Sequence, residues 1–457
     1  MIARFRRRAG VTWGSGPGTR VEILIYPIKS RMSFEFRIST RIPSPGSQVP
    51  RSRLTDIVTI TQRGADRILS GHLWVYRSDV MSLDGARTGS GSGREAPMSA
   101  APEPGSVVRV QDQRRRYLGQ ALYSSKSQLA LRFLTGERRP FDRTFLLERI
   151  AAAAKYREIV AAGAKAYRLI ASEGDLLPSL TIDRYGDCLV LQTLSQGMEK
   201  LKPAIVGILQ EQFSPRSIME RNDSPVRALE DLPEVRGVLA GEPVPEVVAE
   251  EDGVRFVYDL AGGHKTGGYL DQRENRAAAR GYARGRLLDC FTYAGGFALT
   301  LAGQCSSALA LDSSQEALKL AQRSQALNAV GNVEWREANC FDFLKAADHS
   351  GERFDTVVLD PPAFARQKSS LESALRGYKE LNLRALKILN PGGFLITCSC
   401  SFHVSESDFL EAVASAAVDA HQRVQVVERR TQARDHPILL TVPETHYLKC
   451  LILRVAG

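Results

Sequence analysis

Seven cysteines are scattered through the 457 residues, and Cys400 stands where a thiol could act as a nucleophile. It lies in Thr397-Cys-Ser-Cys-Ser401, at the end of an apolar run from Phe394 that reads as a buried strand. A thiolate at such a strand end can add to carbon 6 of a pyrimidine ring. The addition makes carbon 5 nucleophilic enough to accept a methyl group; a base then removes the carbon-5 proton and the thiol is expelled. Carbon 5 of cytosine is not otherwise a competent nucleophile, so that chemistry needs a cysteine. Cys398, inside the run, suits packing. Two blander readings of Cys400 stand beside this one. It could be an inert core thiol. It could bind zinc with Cys398 and His403, although that set lacks the paired Cys-x-x-Cys spacing and a fourth ligand.

The second candidate group is the carboxylate of Asp360, in Asp360-Pro-Pro-Ala-Phe364, after another apolar run, Phe354–Leu359. Pro361 and Pro362 fix the backbone and expose polar groups at the strand terminus. Such motifs grip a flipped base in nucleic-acid methyltransferases, which makes Pro361, Pro362 and Phe364 candidate RNA contacts. Asp360 can accept a hydrogen bond from an exocyclic amine. Methylation of that amine, on guanine or adenine, would need no thiol and is the alternative chemistry. Asp360 is also a candidate for removing the carbon-5 proton, a bound water being the other.

Both groups need a scaffold, and Leu287–Asp312 supplies its clearest part: an apolar run, a glycine turn, a helix and a second apolar run. This is a unit of a parallel sheet, whose ligands bind beyond the carboxyl ends of the strands. Asp312, at the end of the second run, suits a ribose diol as acceptor. The turn is Cys290-Phe-Thr-Tyr-Ala-Gly-Gly296 rather than Gly-x-Gly-x-x-Gly, which argues for an adenosine compound without a pyrophosphate. It resembles the first motif of class I S-adenosylmethionine (SAM) methyltransferases. Asp289, Phe291, Thr292 and Gly295 are then cofactor candidates. Asn339 falls where an adenine-side polar contact would, with Asp342 as a helix cap. Gln272, in the loop Gly262–Arg273, could bond the cofactor; Asp271 beside it could contact the site or cap a helix. Later strands are expected at Val333–Arg336, Phe354–Leu359, Phe394–Ser399, Val424–Val427 and His446–Val455, with a turn at Asn390–Gly393.

Composition narrows the class. A 43% hydrophobic share without an apolar run near 18 residues excludes a helical membrane span and predicts a soluble chain. Scattered cysteines, odd in number, predict reduced thiols in a cytoplasm. The formal charge of +10 is concentrated at one end. Residues 1–53 hold eleven Lys/Arg against Glu22 and Glu35, whereas the remainder holds 50 basic and 49 acidic residues. Any nucleic-acid site in the folded part must therefore be a local patch. Residues 1–53 read as a disordered basic tail, with a misplaced start or an organellar transit peptide as lesser alternatives.

Residues 54–136 hold short β-rich runs around Ile68-Leu-Ser-Gly-His-Leu-Trp-Val-Tyr-Arg77, with a Gly/Ser/Pro-rich loop at 84–104. Gly71, His72, Trp74 and Arg77 resemble the PUA domain, an RNA-binding pseudo-barrel, which makes His72 and Arg77 candidate RNA contacts; Trp74 suits the barrel core. Residues 137–250 read as a central α+β domain, with a helix from Phe141 to about Ala162 that Asp142 could cap. They include Glu173, Asp175, Pro178, Leu180, Asp183, Arg184 and Tyr185, a signature that would serve equally as a salt-bridged turn. Residues 251–457 complete the chain as the α/β domain.

Taken from Ile68 to Arg454, these motifs resemble the RlmI-like family, PUA-containing 23S rRNA 5-methylcytosine methyltransferases. The resemblance implies a class I methyltransferase fold with a Rossmann-like seven-stranded sheet, SAM as cofactor, 23S rRNA as partner and Cys400 as nucleophile. A homodimer is compatible with it, and so is a non-catalytic SAM-binding ribosome-assembly factor. Two departures from other families leave the proton-removing base open. Ala363 follows Pro362, where the Nop2/Sun type carries a second cysteine, and Ser401-Phe402 replaces the Asn-Pro of the uridine-5 type. Family members usually carry an aromatic where Gly268 stands, while Tyr269 retains the second one.

Overall fold

The computed structural model describes residues 56–84, 101–365 and 370–456. The expected basic tail 1–53, and residues 85–100 of the expected loop, lie outside the described residues. The first sheet holds β1 (Ile57–Ile60), β2 (Trp74–Tyr76), β3 (Val80–Asp84), β4 (Val107–Gln111), β5 (Tyr117–Tyr123) and β6 (Leu129–Thr135), in the order β2-β6-β5-β4-β1-β3. Helix α1 (Gln62–Leu69) joins β1 to β2. β-branched and aliphatic residues such as Val58, Ile60, Val75, Val108, Val110 and Leu131 fill its core.

Helix α2 (Arg143–Val160) opens the central region, and Asp142 caps it by accepting a hydrogen bond from the Phe145 amide at 3.0 Å. A five-stranded sheet follows: β7 (Ala166–Ala171), β8 (Leu180–Tyr185), β9 (Cys188–Thr193), β10 (Ser217–Asn222) and β11 (Val235–Gly241), with α3 (Gln196–Phe213) between β9 and β10. A two-stranded hairpin, β12 (Glu246–Glu251) and β13 (Val254–Asp259), leads onward.

The last sheet positions the candidate site. Helix α4 (Arg273–Ala279) precedes β14 (Arg286–Cys290), α5 (Gly296–Leu301), β15 (Ser307–Asp312), α6 (Gln315–Ala326) and β16 (Val333–Glu337). Then come α7 (Cys340–Ser350), β17 (Phe354–Leu359), α8 (Leu371–Ile388), β18 (Leu389–Ser399), α9 (Glu406–Asp419), β19 (Val424–Arg430) and β20 (Lys449–Val455). The seven strands run in the order β16-β15-β14-β17-β18-β20-β19, as the family resemblance implies. The first five are parallel, and β20 is antiparallel to both its neighbours. Helices cover the parallel strands, so their cores are near-continuous apolar runs; Leu287, Leu288, Val357, Val358, Leu395 and Ile396 are all buried. The strand order reverses between β14 and β17, which opens a crevice at their carboxyl ends. The expected turn at Asn390–Gly393 is instead an irregularity inside β18. Pairing to β17 jumps from Phe354↔Leu389 to Thr356↔Phe394, and Gly392 takes φ +78°.

The segment from Thr431 to Leu448, between β19 and β20, binds the other regions to this sheet. Thr441 Oγ1 donates to the Gly71 carbonyl at 2.7 Å, and His72 meets Glu444 at 3.1 Å. Arg157 is buried and donates to both Asp175 oxygens (2.5 and 2.7 Å), to the Arg168 carbonyl (2.9 Å) and to the Asp435 carbonyl (2.7 Å). The Asp435 carboxylate accepts from the Arg168 amide at 2.9 Å. Trp74 is not barrel core: its indole donates to Glu173 at 3.0 Å. The turn carrying Glu173 and Asp175 is thus a junction of polar contacts. Arg157→Ala would strand Asp175 in a buried site, and we expect it to destabilise the fold by about 3–5 kcal/mol. Urea unfolding measures this; a loss under about 1 kcal/mol would contradict the assignment.

Candidate active site

The turn after β14 is held in a conformation that its side chains alone would not choose. Phe291 and Tyr293 take φ +63° and +50°, the left-handed region that glycine prefers, and Gly295 takes +81°. Two carboxylates hold it there. Asp289 accepts from Thr292 Oγ1 at 2.6 Å and from the Ala298 amide at 2.9 Å. Asp312 accepts from the Tyr293 amide at 2.8 Å and from the Ser314 amide at 2.9 Å. Burial pushes the Asp289 carboxyl up to about 7.

This arrangement sorts the expected cofactor residues. Phe291, Thr292 and Asp312 line a cavity of about 540 Å³, within the size range of small-ligand sites. Asp289 lies beneath the turn and does not line the cavity. Gly295 faces away from it: a Cβ there would sit 2.6 Å from the Trp335 ring, so Gly296 is the glycine at the wall. Asn339 is also corrected. Its side chain is the N-cap of α7, accepting from the Phe341 amide at 2.9 Å, and it is exposed and off the cavity. Asp342, expected as the cap, sits in that helix's first turn.

A hairpin loop forms the opposite wall. The His264 ring stacks on Tyr293 at 4.7 Å, and Lys265 Nζ lies 4.3 Å from the Tyr269 ring centre. Lys265 donates to Asp271 at 2.8 Å and the Tyr447 hydroxyl does so at 2.9 Å, so Asp271 anchors the wall and caps no helix. Burial opposes ionisation of Asp271, but the charges of Lys265 and His436 hold it well below the usual carboxylate range. Where the family resemblance led to an aromatic being expected, Gly268 packs against Tyr258; a Cβ at 268 would lie 2.8 Å from that ring. Gln272 lines the cavity but donates to Asp360 at 2.9 Å and accepts from Asn275 at 2.7 Å. Two polar atoms of the wall, Asp271 Oδ1 and Arg276 Nε, are buried without a hydrogen-bond partner.

Cys400 and Asp360 meet at the third side, with Pro361, Pro362 and Ala363. Cys400 Sγ lies 3.8 Å from the Pro361 carbonyl. Six of the seven cysteines are buried and Cys400 alone is partly exposed; Cys398 faces Cys450 across the β18–β20 ladder. Burial pushes the Cys400 thiol up to about 11, reinforced by the Asp360 charge. Burial also pushes the Asp360 carboxyl up to about 6, reinforced by Asp271. Phe364 is packed behind the loop, 4.8 Å from the Tyr378 ring, and does not line the cavity. His72 and Arg77 are likewise engaged by protein. His72 meets Glu444, and Arg77 donates to the Ser124 carbonyl at 2.6 Å and the Ser127 carbonyl at 2.8 Å, which closes a loop of the first sheet. Among the described residues no cluster of three or more His, Cys, Asp or Glu could hold a metal ion, and no helix is long and apolar enough to cross a membrane.

Lys265, Tyr293, Arg276 and Tyr447 line the cavity and were not foreseen. Lys265 and Tyr293 stand in stretches already singled out, and the glycine-rich context of Lys265 was the available signal. Tyr447 arrives from the segment that precedes the last strand, which carries no motif.

Residues 58–136 match the family described as PUA-like domain, and residues 228–454 match the family described as S-adenosylmethionine-dependent methyltransferase. Ribosomal RNA large subunit methyltransferase I of Photobacterium profundum is 42% identical over 386 residues, spanning 83% of this chain and 94% of that protein. The protein of the same name from Salmonella arizonae is 38% identical over 405 residues, spanning 87% and 97%. A solved chain described as a proposed methyltransferase complexed with SAH has a TM-score of 0.73 at 19% identity, covering 87% of this chain and 100% of that one, a likeness of fold.

Asp289 supplies a test of the turn. Its carboxyl is raised from 3.8 to about 7, so the folded chain binds more protons and this group favours folding at low pH. That contribution, up to about 4 kcal/mol, is lost as pH rises through this window. Asp289→Asn removes the dependence. The melting temperature of the variant relative to the unsubstituted chain should climb from about pH 4 to about pH 7; a flat difference would contradict the burial argument.

Proposed function

We propose, from the premise that this chain belongs to the ribosomal RNA large subunit methyltransferase I family, that it methylates carbon 5 of a cytosine in 23S rRNA through a covalent adduct at Cys400. The observation that carries this reading is the position of Cys400. It is the one cysteine of seven that is not buried, and it lines the same cavity as Asp312 and Asp360. A thiol serving only to pack the core would sit with the other six.

The cavity residues fit SAM. Asp312 would take the ribose hydroxyls, and Phe291 and Thr292 would border the nucleoside. The orphaned atoms of Asp271 and Arg276 are one acceptor and one donor, which suits the ammonium and carboxylate of an amino acid. Bound SAM supplies the methyl group; the rest of the chemistry falls to this chain. Ionised Asp360 would accept a hydrogen bond from the exocyclic amine of the cytosine, its carboxylate oriented by Gln272. Pro361 and Pro362 hold that carboxylate at a rigid strand end. The Cys400 sulfur would bond to carbon 6, and after methylation the carbon-5 proton would leave to Asp360 or a water, expelling the thiol. The resting thiol is protonated at neutral pH, so the rate should follow the thiolate fraction.

Two outcomes test this. Cys400→Ala should abolish methyl transfer to 23S rRNA while leaving SAM binding within about twofold; unchanged transfer would move the reading to an exocyclic amine. With Asp360 near 6 and Cys400 near 11, the single-turnover rate should rise about two decades per pH unit below pH 6 and about one decade above it. A rate independent of pH above 6 would contradict a thiolate nucleophile.

A further inference from the structure

The loop that forms one wall of the cavity has little structure of its own. Between β13 and the turn at Leu270 it forms neither strand nor helix, and Gly262, Gly263, Gly267 and Gly268 leave its backbone freer than other residues would. His264, Lys265, Gly267, Gly268 and Tyr269 all line the cavity. Thr266, in the middle of them, does not: it is fully buried and turned toward the central five-stranded sheet. Its hydroxyl donates to Asp183 Oδ2 at 2.5 Å and lies 3.1 Å from the Tyr185 hydroxyl, both on β8. Gly267, at φ +142°, lies against the same tyrosine, where a Cβ would come within 3.4 Å of the ring. A second clasp holds the start of the loop. Arg221, buried on β10, donates to the Leu260 carbonyl at 2.9 Å and to the Gly263 carbonyl at 2.6 Å.

The central sheet pairs its own strands without these contacts. Asp183 is already matched with Arg168, whose guanidinium donates to both carboxylate oxygens at 2.7 and 2.9 Å, and Arg221 is matched with Asp223 at 3.1 Å. Both charges are thus balanced inside the central sheet, and their further hydrogen bonds go to the loop. The loop in turn carries Lys265, which donates to Asp271 at 2.8 Å, and His264, whose ring stacks on Tyr293 at 4.7 Å. The wall is therefore assembled from side chains whose backbone the central sheet holds. Asp183 and Tyr185 also close the acidic signature that begins at Glu173, so both of its ends reach outside the central sheet.

We propose that Asp183 and Arg221 are positioning residues for the cofactor: acting through Thr266 and the loop carbonyls, they hold this wall of the cavity in the conformation that binds SAM. The role rests on the reading of the cavity as the SAM site and is independent of the chemistry at Cys400. Thr266→Val removes the hydroxyl and keeps the shape of the side chain; Thr266→Ser keeps the hydroxyl. SAM affinity is measured by calorimetry on the full-length chain without RNA. Opening of the loop is measured by amide hydrogen exchange of peptides covering residues 261–269 in the SAM-free chain. A wall in place only about a tenth of the time weakens binding about tenfold. The Val variant should therefore exchange about tenfold faster in the loop and bind SAM about tenfold more weakly, with its single-turnover rate at saturating SAM within about threefold of the unsubstituted chain. The Ser variant should stay within about threefold in all three readouts. An unshifted melting temperature establishes that a variant folds. If the Val variant does not fold, Arg221→Lys, which keeps the charge but cannot span both carbonyls, is assayed in its place. Asp312→Ala, on another wall, is the control. A folded variant of either clasp that binds SAM as tightly as the unsubstituted chain, while Asp312→Ala weakens binding, would overturn the role. Unchanged affinity in both would overturn the reading of the cavity, and the role with it.

Discussion

The hydrogen bonds that converge on Ser401 fix the relation between Asp360 and Cys400. Its hydroxyl joins the end of β18 to the loop that follows β17, through the amides of Phe364 and Ala365. Without that link the two loops would be free to splay, because a parallel sheet pairs its strands only as far as Leu359 and Thr397 on this edge. With it, Asp360 and Cys400 share one wall of the cavity. Burial shifts both groups upward, with the Asp360 charge reinforcing the shift of Cys400 and the Asp271 charge that of Asp360. The Lys265 charge opposes both shifts, and the Gln272 hydrogen bond opposes that of Asp360.

The site also depends on contacts far from the sheet. The segment between β19 and β20 reaches Gly71 and His72 in the first region, Arg157 and Arg168 in the central one, and Asp271 at the cavity, where the Ala433 amide donates to the Asp271 carbonyl at 2.8 Å. The aromatic hairpin wall and the surface of the PUA-like domain are therefore tied to one loop. Residues whose types suggested RNA contact, His72 and Arg77, are spent on this assembly and on closing a loop of their own sheet.

What the sequence disclosed followed from periodicity and from local chemistry. Buried parallel strands leave long apolar runs, and an acid at a strand end is visible beside them, so the places of Asp312, Asp360 and Cys400 on the cavity wall were legible, as was the seven-stranded sheet. The misassigned residues share one cause. Asn339, Gly295 and Phe364 all stand next to the cavity in sequence, yet each was claimed by a local demand that spacing does not reveal: a helix N-terminus with open amides, a backbone squeezed against Trp335, an aromatic cluster behind the loop. An unforeseen residue shows another. Tyr447 reaches Asp271 across a sequence separation of 176 residues, and no single-strand pattern reports such a pairing.

The account is tested most directly by asking whether the Cys400 sulfur bonds to a pyrimidine. Incubated with SAM and with 23S rRNA transcribed from 5-fluorocytidine triphosphate, the chain would meet a base whose carbon-5 fluorine cannot be removed as a proton. The account predicts a denaturation-resistant RNA–protein adduct whose nuclease- and protease-trimmed peptide carries the modified nucleotide on Cys400. Turnover of that same RNA without any adduct on Cys400, with the methyl group found on an exocyclic nitrogen, would contradict it.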